Sequence, residues 1–390
     1  MNKLKFLILF LVAPALFAQV VHRFTGDRFT HYRYDDWFSY ATALEITSVD
    51  MDENFIYFAS RSGGILRYDK YNDQWDFPFT TSNGLRSNSV YQVVFNQSDG
   101  ILYARTPAGV DVYRPAEHIW RPAPWSEMPP VNSPDYKTGD DQPYRFPPYY
   151  RPLNRELPDF FTDISFVYQL GGIVYDRHNR EFRFTDRIID SWQRLWVGTN
   201  GIGPMKAELN RTFLESTPQS IPYISPRDIY IDEDACWIGG QRLPGPVGGI
   251  TRWDRNSNNW QYYEAPYVSG IYKDDVFSIN GDGRFVAFAT SLGLTLFDKR
   301  RDAWRTFDTG QGLQGNRVHD MLFIRDTCYV ATEYGLSLLD LRSMKIGDPI
   351  ESTLDNVRIY QLAYNDSLLW AATTFGLYSI DPGSGSIKFH

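Results

Sequence analysis

At 390 residues the chain could hold two or three ordinary domains, and its formal net charge of −8 gives a surface that repels a phosphate backbone, so nucleic acid is excluded as an expected partner. Aromatic residues make up 16% of the chain, and 29 Gly and 23 Pro punctuate it, a mixture that favours many short strands and tight turns over long helices.

The first residues, MNKLKFLILFLVAPALFAQ, place Lys3 and Lys5 before an apolar run from Phe6 to Val12 and a small-residue exit at Ala15 and Ala18. This is the pattern of a signal peptide over residues 1–18, cut after Ala18, and it makes the expected location periplasmic or secreted. The apolar run is too short to span a bilayer, so no membrane span is expected. Residues 19–44 form an N-terminal segment ahead of the regular part of the chain.

From Ile46 onward one unit recurs. An apolar strand such as ITSVDM, VYQVVF, RIID, RDIYI, DVFSI, VHDMLF or IYQLAY comes first. A second strand follows with an aromatic near its start and a small residue near its end: IYFAS, LYART, LWVGT, CWIGG, VAFAT, CYVAT and LWAAT. The small residues, read as Ala59, Ala104, Gly198, Gly239, Ala289, Ala331 and Ala372, would let neighbouring sheets converge closely. Next comes a glycine, then a polar turn residue five positions on and a bulky residue six beyond that: Gly64, Asp69, Trp75; Gly249, Asp254, Trp260; Gly293, Asp298, Trp304. The same register holds at Gly109, Gly203, Gly335 and Gly376, and each segment reads as a hairpin.

The unit therefore has four strands, and the glycines are spaced by 45, 94, 46, 44, 42 and 41 residues, against about 40–50 for one propeller blade. The fold class expected is all-β: a single seven-bladed β-propeller of four-stranded blades over residues 45–390. The long interval holds a Pro/Tyr-rich insertion, residues 122–186, between blades two and three. It ends in a further hairpin, GGIVYDRHNREF, whose Gly171, Asp176 and Phe182 keep the repeat spacing, so eight blades is the alternative. Seven is preferred because Phe182–Thr185 runs directly into the strand at 187–190 with no linker. Two schemes for closing the last blade stay open, with the fourth strand supplied by Trp37–Tyr40 or by Ser386–Phe389.

Two connections, Asn83-Gly-Leu-Arg-Ser-Asn-Ser-Val90 and Gln311-Gly-Leu-Gln-Gly-Asn-Arg-Val318, carry a more specific pattern, as do Leu-Trp-Val-Gly-Thr at 195–199 and the Gly-Leu-x-x-x-Asp segments. Together they resemble the two-component regulator propeller repeat, over roughly residues 40–390. The resemblance implies a seven-bladed ring outside the cytoplasm that binds a ligand or a protein. The chain departs from the sensor pattern in having no kinase region.

No HExxH, GxSxG, phosphate-loop or dinucleotide motif occurs, the six His residues stand singly, and neither a metal nor a cofactor is expected. Asp50-Met-Asp52-Glu-Asn54 lacks the central Gly and distal Glu of a calcium loop and reads as a turn. Asp232-Glu-Asp234 and Asp274-Asp275 read as solvated turns, and Cys236 and Cys328, two blades apart, as buried strand residues.

In a four-stranded blade, the turns between second and third strands emerge on the same face as the blade-to-blade connections. The insertion and the segment 240–249 both fall there, and loops on a rigid scaffold are where binding usually resides. The residues expected to bind are Arg61, Arg105, Asn200, Arg242, Glu333 and Phe375, overhung by Tyr149 and Tyr150. The expected function is an exported, non-catalytic module holding a protein partner or an oligosaccharide. The alternatives are a carbohydrate-active lyase or hydrolase on a propeller scaffold, and a ligand sensor working with a separate kinase.

Overall fold

The computed structural model describes residues 39–115, 117–129, 157–162, 166–244, 248–347, 352–365 and 367–390. The signal peptide, Trp37, Tyr149 and Tyr150 lie outside them. The described chain is all-β: six four-stranded antiparallel sheets and one seven-stranded sheet, with short 3₁₀ turns and no helix long and apolar enough to cross a membrane. The first strand of each four-strand unit, called its inner strand, is in chain order Ile46–Met51, Gln92–Asn96, Glu181–Ile189, Ile224–Ile231, Val276–Gly281, Val318–Ile324 and Ile359–Asn365.

The repeat residues have local causes. The seven repeat glycines, Gly64, Gly109, Gly203, Gly249, Gly293, Gly335 and Gly376, all have positive φ, between 78° and 147°. A Cβ on Gly293 would also sit 2.2 Å from the Phe307 carbonyl oxygen, so the position demands glycine twice over. Three or four residues before the glycine, a hydroxyl closes the turn: Thr290 Oγ1 donates to the Gly293 carbonyl at 2.9 Å, and Thr199 and Thr332 do the same to Gly203 and Gly335. The polar turn residue caps the outer hairpin, as where Asp254 Oδ1 accepts from the Asn256 and Ser257 N–H groups. In the two patterned connections, Asn88 and Asn316 accept from the backbone N–H of Thr81 and Thr309, which frames the turn from within.

The third sheet corrects the expectation of four strands throughout. It runs Phe166–Gln169, Ile173–Asp176, Glu181–Ile189, Arg194–Thr199, Met205–Glu208, Phe213–Ser216, with Phe161–Thr162 added in parallel at the far edge. Glu181–Ile189 is one continuous strand, so the extra hairpin extends the third sheet and forms no sheet of its own. The curled sheet encloses Val174, Phe182, Leu195, Val197, Met205 and Leu214. In the last sheet, Ile387–Phe389 from the C-terminal end pairs with Leu377–Ile380 as the fourth strand.

Neighbouring sheets pack face to face through apolar clusters, and the inner strands are stitched by acidic side chains. Asp186 Oδ2 accepts from Val49 N–H at 2.8 Å, and Asp50 Oδ2 from Phe95 N–H at 2.8 Å. Asp228 Oδ2 accepts from Ile279 N–H at 2.7 Å and Asp320 Oδ2 from Leu362 N–H at 2.8 Å, while Ser278 donates to Asp320. These bonds define two runs of sheets, third–first–second and fourth–fifth–sixth–seventh. The first sheet thus lies between the second and third. The runs meet at their outer edges, where Asn258 Nδ2 donates to the Trp75 carbonyl and Tyr40 packs on Trp253 and Trp260.

Small residues do sit where sheets converge. A Cβ on Gly198 would lie 2.5 Å from Ile46 and one on Gly239 2.6 Å from Val276. In the second sheet, however, the pairing Thr106↔Gly109 and Arg105↔Val110 places Arg105, not Ala104, at this position. No sheet of the run follows there, and Trp125, from the first residues of the insertion, stacks on the Arg105 guanidinium at 4.9 Å instead.

Candidate functional site

Backbone bonds confirm which elements share a face. Second-to-third-strand turns meet the sheet-to-sheet connections at Arg61 N–H to Glu45 O, Glu333 N–H to Arg317 O, Thr374 N–H to Arg358 O and Asn356 N–H to Tyr334 O, all between 2.8 and 3.1 Å. Of the residues expected to bind, the described ones lie on or beside this face but do not converge on one point, and Tyr149 and Tyr150 fall outside the described residues. Arg61 pairs with Glu45 at 2.6 Å, and Glu45 also bridges to Asn200, so these two come together. Arg242 belongs to a separate cluster, bound to Glu264 at 2.8 Å and Asp274 at 3.2 Å. Phe375 is 68% exposed on the seventh sheet, and Glu333 is half-buried on the sixth. The arginines at 61 and 242 are thus already neutralised by carboxylates.

A more coherent set went unread in the sequence. In six sheets the inner strand carries a β-bulge against its neighbour, at Thr47, Thr185, Arg227, Phe277, His319 and Tyr360. A bulge re-aims one side chain away from the pleat. In the first and third sheets this residue is a small threonine, but from the fourth to the seventh it is a cation or a ring, and these form a continuous row. The Arg227 guanidinium lies 5.1 Å from the Phe277 ring centroid, Phe277 is 6.5 Å from His319, and His319 is 5.9 Å from Tyr360. Arg317 covers Phe277 as well, at 4.8 Å.

The electrostatics of the row are lopsided. Among the described residues no carboxylate forms an ion pair with Arg227, Arg317 or Arg358, all three of which are exposed. Burial, with Arg317 and Arg358 beside it, holds the His319 imidazole below its ordinary pKa, and Glu333 only partly opposes this. The ring is therefore neutral at pH 7, and its Nε2 is buried without a hydrogen-bond partner. Hydrogen bonding with Thr374 and Arg358 lowers the Tyr360 pKa.

Beside the row, reached through the segments 314–317 and 355–358, lies an open groove of about 380 Å³ lined by Gln314, Tyr334, Asp355 and Asn356. Gln314 Nε2 donates to Asp355 at 2.8 Å, whereas Gln314 Oε1 is buried without a partner. Tyr334 is 52% exposed. Aligning the seven inner strands on the residue before Asp228, Ser278, Asp320 and Gln361 would have revealed the row; scanning for charged loop residues could not.

Among the described residues no group of three His, Cys, Asp or Glu side chains could hold a metal ion. Cys236 and Cys328 are buried free thiols. What the fold and this face define is a propeller-like repeat protein that presents a cationic and aromatic row on its loop-bearing side. No protein-family model matches the chain, and no curated protein does. Among solved structures it is similar to the extracellular domain of the putative one component system BT4673 from B. thetaiotaomicron, at 14% identity and a TM-score of 0.36, over 88% of this chain and 48% of that one. It is similar also to the extracellular domain of the putative hybrid two component system BT3049 from B. thetaiotaomicron, at 15% identity and 0.34, over 87% and 39%. The computationally designed Ika8 protein matches at 12% identity and 0.34, over 90% and 88%. The chain spans less than half the length of the two extracellular domains.

Proposed function

We propose that this protein is an exported, non-catalytic binding module whose seven sheets are the blades of a propeller, holding a protein partner or a glycan on its loop-bearing face. The observation that carries the reading is the row Arg227–Phe277–His319–Tyr360 with its neighbours Arg317 and Arg358. Tyr and Arg are among the residue types that dominate binding energy, Tyr360 and the three arginines are exposed beside the half-buried Phe277 and His319, and cations with no carboxylate partner among the described residues leave charge available to a ligand. The N-terminal leader supports export, and the absence of a recognisable catalytic motif in the sequence favours holding over turnover.

The test uses the full chain without its leader on an array of bacterial and host glycans, and in cross-linking against purified envelope proteins. A glycan or protein should be retained, and Tyr360→Ala with Phe277→Ala should reduce retention at least tenfold while far-UV circular dichroism is unchanged. Retention insensitive to both substitutions would refute the site. Release of shortened or unsaturated sugar products during incubation would refute the non-catalytic reading and favour a lyase or hydrolase.

A further inference from the structure

We infer that the ligand of this face is an anionic oligosaccharide, its acidic groups read by Arg227, Arg317 and Arg358 and its rings by Phe277, His319 and Tyr360. This rests on the binding-module reading and narrows it to one chemical class.

Charge comes first. The chain as a whole carries a formal net charge of −8, and against it three exposed arginines with no ion-pair partner among the described residues meet on one row, with Glu333 as the carboxylate that acts on it. Many arginines elsewhere are matched, as Arg61 with Glu45, Arg180 with Asp176, Arg242 with Glu264 and Asp274, and Arg284 with Asp298, while the exposed Arg114, Arg300, Arg305 and Arg325 stand singly on other parts of the surface. What sets the row apart is that Arg227, Arg317 and Arg358 gather around Phe277 and His319, which makes it complementary to negative charge brought from outside, and guanidinium groups suit carboxylate and sulfate because both offer two oxygens in a plane or fork.

Shape comes second. The groups are spaced 5.1, 6.5 and 5.9 Å apart along the curve of four sheets, so they match an extended ligand with repeated units better than a single small anion. The groove at one side adds an exposed Tyr334 next to the planar polar groups of Gln314, Asp355 and Asn356. Amide and carboxylate groups beside an aromatic face offer donors and acceptors for hydroxyls together with a platform for a sugar ring.

The backbone disfavours the other extended anion, an acidic peptide. A peptide adding to an inner strand would need an unbroken edge of N–H and C=O groups. On these inner strands edge N–H groups are already taken by the neighbouring sheet, Ile279 N–H by Asp228 and Leu362 N–H by Asp320, so no continuous edge is left for a peptide. Recognition is left to side chains, as for a saccharide.

Isothermal titration with four probes tests this: a tetragalacturonate, a heparin-derived tetrasaccharide, neutral maltotetraose and a hexaglutamate peptide. At least one charged saccharide should bind ten times or more tightly than maltotetraose, and its affinity should fall as salt is raised from 50 to 300 mM. The double variant Arg317→Gln, Arg358→Gln should lose at least tenfold for that saccharide with an unchanged melting temperature, and Arg317→Lys, Arg358→Lys should recover part of it. Equal binding of neutral and charged saccharides would overturn the anionic assignment while leaving the binding module intact. Binding of hexaglutamate alone would overturn it in favour of a peptide. If none of the four probes binds, the inference fails; if the glycan and protein arrays are also blank, the module reading fails with it.

Discussion

At the scale of single residues, the outer hairpins show how closely the repeat constrains the backbone. Two positions before the bulky residue of each hairpin, the chain adopts a left-handed conformation: Asp73, His118, Thr212, Asn258, Asp302 and Met344 have φ between 50° and 55°, and Gly385 has φ 74°. Asn, Asp and Gly tolerate this, whereas a β-branched residue is crowded. Thr212 is therefore a strained member of the set. Replacing it by Gly or Asn should raise the stability by about 1 kcal/mol, read from urea midpoints, and the same change at the exposed Thr374 should do nothing comparable. The position was readable in the sequence as a turn. Its handedness was not, because only the paired strands on either side dictate the sign of φ.

At the scale of the element, the inner strands carry both the stitching and the binding row. Desolvation by burial pushes the carboxyls of Asp50 and Asp186 up to about 6, and each also raises or is raised by a neighbouring acid. The unfolded chain releases these protons near pH 3.8, while the folded chain holds them until about pH 6. Between those values the native state binds more protons, so the contribution of these two groups to stability falls as pH rises through that window. Asp190 and Asp232 behave oppositely: hydrogen bonds and nearby cations outweigh their burial and lower their pKa, so their contribution is lost as pH falls below the ordinary carboxylate range. Asp186→Asn should accordingly gain on the parent chain as pH rises from 4 to 7, by about 3 kcal/mol at most for a shift of roughly two units. Chemical denaturation at a series of pH values checks this, and a difference that does not vary with pH would count against a buried, protonatable Asp186. The strands themselves were legible from their alternation of apolar residues. The bulge was not, since one extra residue in six changes no periodicity that a short strand can display, and with it the row Arg227–Tyr360 stayed hidden.

At the scale of the whole molecule, what decides a residue's importance is whether another sheet lies against it. Val49, Val93, Ile279, Met321 and Leu362 occupy equivalent positions, one after the residue that follows the bulge or its counterpart, and none exceeds 6% exposure. Ile229 occupies the same position in the fourth sheet, which no sheet precedes in its run, and is 55% exposed. Ile279→Ser should then cost about 2–5 kcal/mol, as for a large apolar side chain removed from a packed interior, and Ile229→Ser less than about 0.5 kcal/mol. Thermal melts of the two variants decide it. At the ends of the other run two arginines take such places: Arg187 holds the position of Ile229 in the third sheet, and Arg105, at the small-residue position of the second sheet's second strand, lies against Trp125. Arg105 was singled out in the sequence as a loop residue for binding, and its register within the sheet gives it a packing role there.

The sequence by itself determined the all-β class, the four-strand unit, the glycine and Asp turns and the face on which turns and connections gather, because each depends on residues within a few positions of one another. Only the tertiary structure decided that the first sheet sits between the second and third, that the extra hairpin curls back as part of one seven-stranded sheet, and that four bulged side chains from separate repeats stand in a row. Those features arise where sheets far apart in the chain come to lie against each other, and local spacing does not encode which surfaces will meet.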